Sequence, residues 1–233
     1  MSKPDLLQRF LTSLGFIPGP KQIAKQLRHP KGKLGELVAG KMNESNAFLY
    51  DFTLRTMQIQ DDNAILELGF GNGKFFEKVF AQAKNLKVAG VDYSELMVND
   101  ARKFNAESIR QKSLDILYSN CQALPFDSNI FDKVFCINVI YFWENPREIL
   151  DEIFRVLKPG GSFYASVRLK ESLGQLAYTR YGFNFYEEES WKVHLANSHF
   201  EYLEGLEVDE PEFLLNGHEL HFQSVCMVAQ KPR

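Results

Sequence analysis

The chain has 233 residues, 45% apolar and 24% charged, which is ordinary for a soluble globular protein. Its 27 basic residues stand against 30 acidic ones, and the net charge of −3 argues against general binding of nucleic acid. No apolar run approaches the roughly 18 residues of a membrane-spanning helix, and polar residues interrupt the N-terminus where a signal peptide needs an apolar core.

The N-terminal segment differs from the rest of the chain in charge. Residues 1–41 hold eight Lys and Arg against two acidic residues, so this segment carries a net charge of about +6 and the remainder about −9. Glycines and prolines in the first 30 residues predict two short helices joined by turns, outside the main sheet. We expect residues 1–60 to form a helical cap, which is a solvated cover, a lid, or a contact surface for an anionic membrane.

From residue 64 onward, short apolar runs alternate with amphipathic stretches. This alternation is typical of parallel strands covered by helices on both faces. We predict an α/β fold, a doubly wound, mostly parallel, seven-stranded, Rossmann-like sheet with an antiparallel C-terminal strand. The predicted strands are 64–68, 86–91, 114–118, 134–137 and 162–167, followed by 213–215 and 221–229 as an antiparallel closing pair.

Amphipathic spacing predicts helices after the first, second and fourth of these strands. Ser94 is positioned to cap the second helix, and Asn145 with Pro146 to open the third as N-cap and first-turn proline. The run at 158–161, Lys-Pro-Gly-Gly, is expected to end that third helix.

A glycine-rich turn follows the first predicted strand and reads ELGFGNG from residue 67 to residue 73. Glycines at every second position let the backbone approach a ligand without interference from Cβ atoms. The turn leads into a helix N-terminus, which favours a negative group. Lys74 stands where a dinucleotide fingerprint needs its third glycine, which argues against a nicotinamide dehydrogenase. A turn required only for packing is the alternative.

An acidic residue directly follows the second predicted strand. Asp92 lies 19 residues beyond Gly73, at the strand end beside the glycine turn. A carboxylate there can accept hydrogen bonds from both hydroxyls of a ribose. The spacing therefore predicts a nucleoside site, with helix capping as the alternative role of Asp92.

Five motifs together resemble those of class I S-adenosylmethionine-dependent methyltransferases, above all the ubiquinone/menaquinone-type and related small-molecule subgroup. They follow the family's order over about residues 64–167, at 67–73, 91–94, 124–126, 131–132 and 155–161. The resemblance implies an enzyme that transfers a methyl group from S-adenosylmethionine to a small-molecule acceptor and leaves S-adenosylhomocysteine as product. It assigns residues 61–233 to the methyltransferase domain and an insert at about 170–190 to the substrate site.

The resemblance also implies roles for individual residues. The turn would line the methionine moiety, Asp92 would hold the ribose and Tyr93 would pack on the adenine. Asn120 replaces the usual Asp, so its contact with the adenine amino group would lack charge assistance. The full set of expected cofactor-binding residues is Glu67, Gly69, Phe70, Gly71, Asn72, Gly73, Asp92, Tyr93, Asn120, Cys121, Ile137, Asn138, Asn46 and Tyr50. A strand-end cap remains the alternative for Asn138, and simple packing on the sheet edge remains the alternative for the helix that carries Asn46 and Tyr50.

Aromatic residues are concentrated after the fourth and fifth strands and in the insert. They predict an apolar or planar acceptor, or a cage for a cation, with loop packing as the alternative. Arg168 would neutralise an anionic acceptor or be a solvated strand-end charge. The substrate candidates are Tyr141, Arg168, Tyr178 and Tyr181.

Methyl transfer from a sulfonium mainly requires alignment and exclusion of water, so no obligatory catalytic triad is expected. A general base is needed only for a hydroxyl, an acidic carbon or a protonated amine as acceptor. Cys121, Cys136 and Cys226 are too far apart for a zinc site or a disulfide framework, which is consistent with a cytoplasmic protein without a metal. Two other functions stay open, a membrane-proximal quinone or lipid methyltransferase and a non-catalytic S-adenosylmethionine-binding regulatory protein.

Overall fold

A seven-stranded sheet forms the centre of the molecule. The computed structural model describes residues 18–215 and 218–233, with side chains described outside 213–220. The strands are β1 (Ala64–Leu68), β2 (Lys87–Asp92), β3 (Leu114–Tyr118), β4 (Phe131–Ile137), β5 (Leu157–Arg168), β6 (Glu201–Asp209), β7 (Phe213–Leu215), β8 (His218–Leu220) and β9 (Gln223–Gln230).

The order of strands in the sheet is β3-β2-β1-β4-β5-β9-β6. Strands β1 to β5 pair in parallel, and β9 runs antiparallel between β5 and β6. The prediction of a mostly parallel, doubly wound sheet with an antiparallel C-terminal strand is confirmed. The order reverses between β1 and β4, which opens a crevice at the carboxyl ends of these strands.

Helices cover both faces of the sheet and the carboxyl ends of its strands. They are α1 (Pro20–Arg28), α2 (Gly32–Met57), α3 (Phe76–Phe80), α4 (Glu95–Phe104), α5 (Ala106–Arg110), α6 (Pro146–Val156), α7 (Lys170–Leu173) and α8 (Glu188–Asn197), with 3-10 turns at Ile140–Phe142 and Ala177–Arg180. Within the described residues, no helix combines the length and the apolar character needed to cross a bilayer. Of the two helices predicted in the first 30 residues, α1 is one, and residues 1–17 lie outside the described residues.

The C-terminal strands differ from the sequence prediction. We expected 213–215 to pair with 221–229, but β7 pairs with β8 in a separate hairpin and β9 pairs with β5 and β6. Strand β6 was not predicted, because acidic residues at 201, 204, 207 and 209 mask its apolar pattern. Such charges are typical of an edge strand, which must resist pairing with other chains.

Helix α6 ends just before the run at 158–161, as predicted, but the run itself lies in a strand. Helix α6 ends at Val156, and Leu157 already pairs with Phe131 in the sheet. The pairing then shifts before Lys133 meets Ser162, so the two glycines lie in an irregular first part of β5.

The apolar core lies in two layers, one on each face of the sheet. Trp191, Phe163 and Ile153 are fully buried in the layer beneath α6 and α8. In the other layer Gly90, on β2, faces the buried rings of Phe70 and Phe76. A Cβ atom at position 90 would lie 2.6 Å from each ring. The absence of a side chain at Gly90 therefore lets both rings pack directly against the strand.

We expect Gly90→Ala to destabilise the protein by about 1–3 kcal/mol, because the added methyl must push apart two buried rings. Gly40→Ala is the matched control: Gly40 is exposed in the interior of α2, and its Cβ would meet nothing within 4 Å. This change should stabilise the protein by about 0.5–1 kcal/mol through helix propensity. Urea unfolding followed by circular dichroism measures both, and a Gly90→Ala variant as stable as the wild type would contradict the packing argument.

Candidate active site

A cavity of about 470 Å³ opens at the carboxyl ends of β1, β2, β4 and β5. This volume is within the range of small-molecule sites, and the position is where parallel sheets bind ligands. Sixteen of the 18 residues predicted for the cofactor and substrate line it, and the structure thus brings them together. Gly73 and Tyr181 do not line it.

The glycine turn connects β1 to α3 along one wall of the cavity. Gly69, Gly71 and Gly73 all have positive φ angles, of 70°, 61° and 69°. A Cβ atom at Gly69 would lie 2.6 Å from Val139, and one at Gly73 would lie 2.6 Å from Ala101. Gly71 has open space on that side and lines the cavity. Packing therefore requires glycine at positions 69 and 73. The backbone of Gly71, in contrast, is accessible from the cavity.

Asp92 lies at the tip of β2 with only 7% of its surface exposed. Its Oδ2 accepts the N–H of Gly71 at 3.0 Å, and its Oδ1 accepts the N–H of Ser94 at 2.9 Å. Burial raises the pKa of Asp92 to about 6, against the effect of these donors. Each carboxylate oxygen keeps a further lone pair, so the side chain can still accept hydrogen bonds from two neighbouring hydroxyls.

A second buried carboxyl group, Glu67 on β1, lies in the same wall. The hydroxyl of Tyr50, from α2, donates to Glu67 Oε2 at 2.5 Å. Burial and the neighbouring charge of Asp92 raise the pKa of Glu67 to about 8, although the bond from Tyr50 lowers it. A cation that enters the cavity beside Glu67 would favour the ionised carboxylate.

Asn138 at the tip of β4 connects the cavity to α2. It has a φ angle of 57°, which is uncommon for a residue other than glycine. Its Oδ1 accepts from the backbone N–H of Arg168, and its Nδ2 donates to Asn46 Oδ1 at 3.1 Å. The Tyr141 hydroxyl lies 3.1 Å from the same Oδ1 and 2.8 Å from the Arg168 carbonyl, and its one proton is shared between these two acceptors. The backbone donor fixes which end of the Asn138 amide faces α2.

Arg168 at the end of β5 is buried, with 6% of its surface exposed. Its guanidinium forms a bidentate ion pair with Glu210 at 2.7 and 2.8 Å. It also donates to Ser45 Oγ at 2.9 Å and to the Ser45 carbonyl at 2.7 Å. The interpretation of Arg168 as a solvated strand-end charge is wrong, because Glu210 balances its charge inside the protein.

An aromatic chamber forms the other end of the cavity. Phe183 is its centre: the ring lies 5.6 Å from Tyr141, 4.9 Å from Phe142 and 5.8 Å from Tyr178, measured between centroids. Leu27, Val38 and Met42, from α1 and α2, also line the cavity. Tyr181, which was a substrate candidate, is 45% exposed and lies outside it.

The segment after α1 borders the cavity on the side of Asp92, and its contacts were not predicted from the sequence. The hydroxyl of Tyr93 donates to the Arg28 carbonyl, and Ser94 Oγ donates to the Pro30 carbonyl at 2.7 Å. Arg28 also forms an ion pair with Glu144, beyond β4, at 2.6 Å. In the sequence, only its basic charge distinguishes this segment. Its contacts could not be predicted because Tyr93, Ser94 and Glu144 are all distant from it along the chain.

Asn120 and Cys121 complete the wall beyond β3. The side chain of Asn120 is exposed and forms two hydrogen bonds with Gln122, one to its side chain and one from its backbone. Burial raises the pKa of Cys121 to about 12, so its thiol is neutral. No group of three or more His, Cys, Asp or Glu residues in the described ranges is arranged to hold a metal ion.

Comparison with known proteins gives a consistent assignment. Residues 66–165 match the family model of a methyltransferase domain. The uncharacterized methyltransferase YdaC of Bacillus subtilis is 27% identical over 137 residues, 58% of this chain and 74% of that protein. Demethylmenaquinone methyltransferase of Lactococcus lactis is 35% identical over 113 residues, 47% of this chain but only 43% of that enzyme.

The solved structures support the same fold. One chain of the Haloferax volcanii complex between the Trm112 methyltransferase activator and a proposed methyltransferase superposes with a TM-score of 0.73. The superposition covers 84% of this chain and 93% of that chain, at 20% identity.

The buried Glu67 predicts a stability that depends on pH. Its carboxyl group has an ordinary pKa of 4.5 when unfolded and about 8 when folded, so the folded state holds an extra proton between these values. The contribution of Glu67 to stability is thus lost as the pH rises from about 4.5 to 8. We expect Glu67→Gln to gain stability over the wild type across this window, on the order of 3 kcal/mol.

Urea unfolding at a series of pH values measures this difference. Glu77→Gln, on the exposed side of α3, is the control for a general effect of charge. If the Glu67→Gln and wild-type curves stayed parallel from pH 4.5 to 8, the raised pKa of Glu67 would be wrong.

Proposed function

We propose that this chain is a class I S-adenosylmethionine-dependent methyltransferase and that it methylates a small, uncharged, apolar acceptor molecule. The match of residues 66–165 to a methyltransferase domain supports the first part of the proposal. One observation supports this most: a single cavity has Asp92 and the glycine turn at one end and the aromatic chamber at the other. The first end suits a nucleoside, and the second suits an apolar molecule.

The residues of the cavity fit S-adenosylmethionine. We propose that Asp92 accepts hydrogen bonds from the ribose hydroxyls, that Tyr93 and Asn120 border the adenine, and that Glu67 and Gly71 hold the methionine part. The open side of Gly71 gives the backbone room for this contact. The buried carboxyl of Glu67 has no cationic partner among the described residues, so the amino group of the cofactor would complement it. The cofactor, when bound, supplies a methyl group on a positively charged sulfur.

The aromatic chamber would hold the acceptor. Phe142, Tyr178 and Phe183 give it an apolar lining. Each of the two arginines that line the cavity is paired with a glutamate, Arg168 with Glu210 and Arg28 with Glu144. A charged acceptor would therefore have to lose its hydration without a new partner, which is costly. The relative named for demethylmenaquinone supports a small-molecule acceptor.

The protein contributes alignment and the exclusion of water. Hydrogen bonds from Arg168 and Tyr141 fix Asn138 at the junction between the two ends of the cavity. Gln26, Leu27 and Arg28, at the end of α1, line the cavity, so α1 would limit the access of water to it. In-line transfer from an activated donor needs little more from the chain than this positioning.

Each segment of the chain has a distinct role in this proposal. We propose that residues 61–233 form the catalytic domain, that residues 1–60 form its cap, and that the insert at 170–190 shapes the acceptor chamber. The three cysteines are free thiols, which supports a cytoplasmic enzyme.

We expect Asp92→Ala to weaken the binding of S-adenosylmethionine and S-adenosylhomocysteine about 30- to 1000-fold. The variant loses hydrogen bonds to a charged acceptor, together worth about 2–4 kcal/mol. Isothermal titration calorimetry measures the affinity. Asp115→Ala removes an exposed carboxylate from β3, outside this cavity, and should leave the affinity unchanged. An Asp92→Ala variant that binds as tightly as the wild type would show that the proposed site is wrong.

A further inference from the structure

A basic surface covers the outside of the cap. Residues 18–41 contain six basic residues and one acidic residue, a net charge of +5, so the rest of the chain carries −8. Lys21 and Lys25 are exposed one turn apart on α1, and Lys31 and Lys33 are exposed where α2 begins. None of the four forms an ion pair within the described residues. We call these four residues the lysine patch.

The inner side of the same segment is apolar. Ile23 and Val38 are fully buried against each other, and Leu27, Met42 and Tyr178 pack on them. Val38, Leu27 and Met42 also line the cavity at the aromatic chamber. A single layer of helix therefore separates the lysine patch from the proposed acceptor chamber.

The contacts that hold this layer closed are exposed to solvent at one end. In the ion pair between Arg28 and Glu144, the side chains are 40% and 75% exposed. An exposed ion pair of this kind contributes about 0–1 kcal/mol. The cap can thus separate from the loop beyond β4 without breaking a buried charge pair.

We propose that the lysine patch binds an anionic lipid membrane surface, from which the apolar acceptor enters the chamber beneath the cap. The proposal rests on the proposed function for the identity of the acceptor chamber. Charge complementarity supports it, because lysines at an anionic membrane surface each strengthen binding. A lipid surface touches only the patch, whereas a long nucleic acid would also meet the −8 of the remaining chain.

Sedimentation of the full-length protein with vesicles tests the proposal. We expect binding to phosphatidylcholine vesicles that contain phosphatidylglycerol, weaker binding as salt increases, and no binding to phosphatidylcholine alone. Substitution of the whole patch, Lys21→Gln, Lys25→Gln, Lys31→Gln and Lys33→Gln, should weaken binding several hundredfold, about fivefold for each lysine. The matched control, with the same change in net charge, replaces exposed lysines elsewhere: Lys74→Gln, Lys84→Gln, Lys87→Gln and Lys103→Gln.

The outcomes separate the alternatives. Equal loss in both quadruple variants, or binding to both kinds of vesicle, would overturn the role of the patch. Absence of wild-type binding would overturn the membrane contact, and equally tight, patch-dependent binding of single-stranded RNA would replace it with a nucleic-acid contact. Titration of the patch variant with S-adenosylmethionine should give wild-type affinity. If the protein fails to bind vesicles but still binds S-adenosylmethionine, the membrane proposal is wrong and the proposed function is unaffected.

Discussion

The site depends on one constraint: helix α2 buries polar side chains against the carboxyl ends of parallel strands. Four polar side chains lie on one face of α2 and form hydrogen bonds to strand ends. Ser45 and Thr53 contact β5, Asn46 contacts the residue after β4, and Tyr50 contacts β1. Tyr50 and Thr53 are buried, and Ser45 and Asn46 are half-buried. A buried polar group without a partner costs about 1–3 kcal/mol, so these contacts favour one rotation and one axial position of the helix. Asn46 and Tyr50 are thereby placed in the cavity wall, and every other wall is arranged around them.

Burial also raises the pKa values of the carboxyl groups in the site. Two carboxyl groups, Glu67 and Asp92, share a crevice of low polarity, and the pKa of each lies above its ordinary value. The protein stabilises them with neutral donors, the Tyr50 hydroxyl and the backbone N–H groups of Gly71 and Ser94. With a pKa of about 6, Asp92 is ionised near neutral pH and has no counter-charge among the described residues, and this suits a ligand that brings its own positive charge and its own hydroxyls.

The sequence predicted those features that are encoded locally. Strand β1 was predicted with its observed bounds, because an apolar run that ends at a glycine turn has few other structures available. The position of Asp92 in the cavity was likewise predicted, from its spacing to the turn. Contacts between distant segments left no such pattern. Glu210 lies 42 residues beyond Arg168, so nothing local showed that this arginine would be neutralised. The charged edge strand β6 was missed because its partner β9, rather than its own side chains, determines its conformation.

The cap has a consequence for the timing of each reaction cycle. It is tethered to both sides of the cleft, to Tyr93 and Ser94 on one side and to Glu144 on the other. Donor and acceptor would therefore share a single doorway, and spent donor could not be exchanged until that doorway opens. Under this arrangement, opening of the cap would be needed both for entry of the acceptor and for departure of the by-product, and its rate would set an upper limit on turnover.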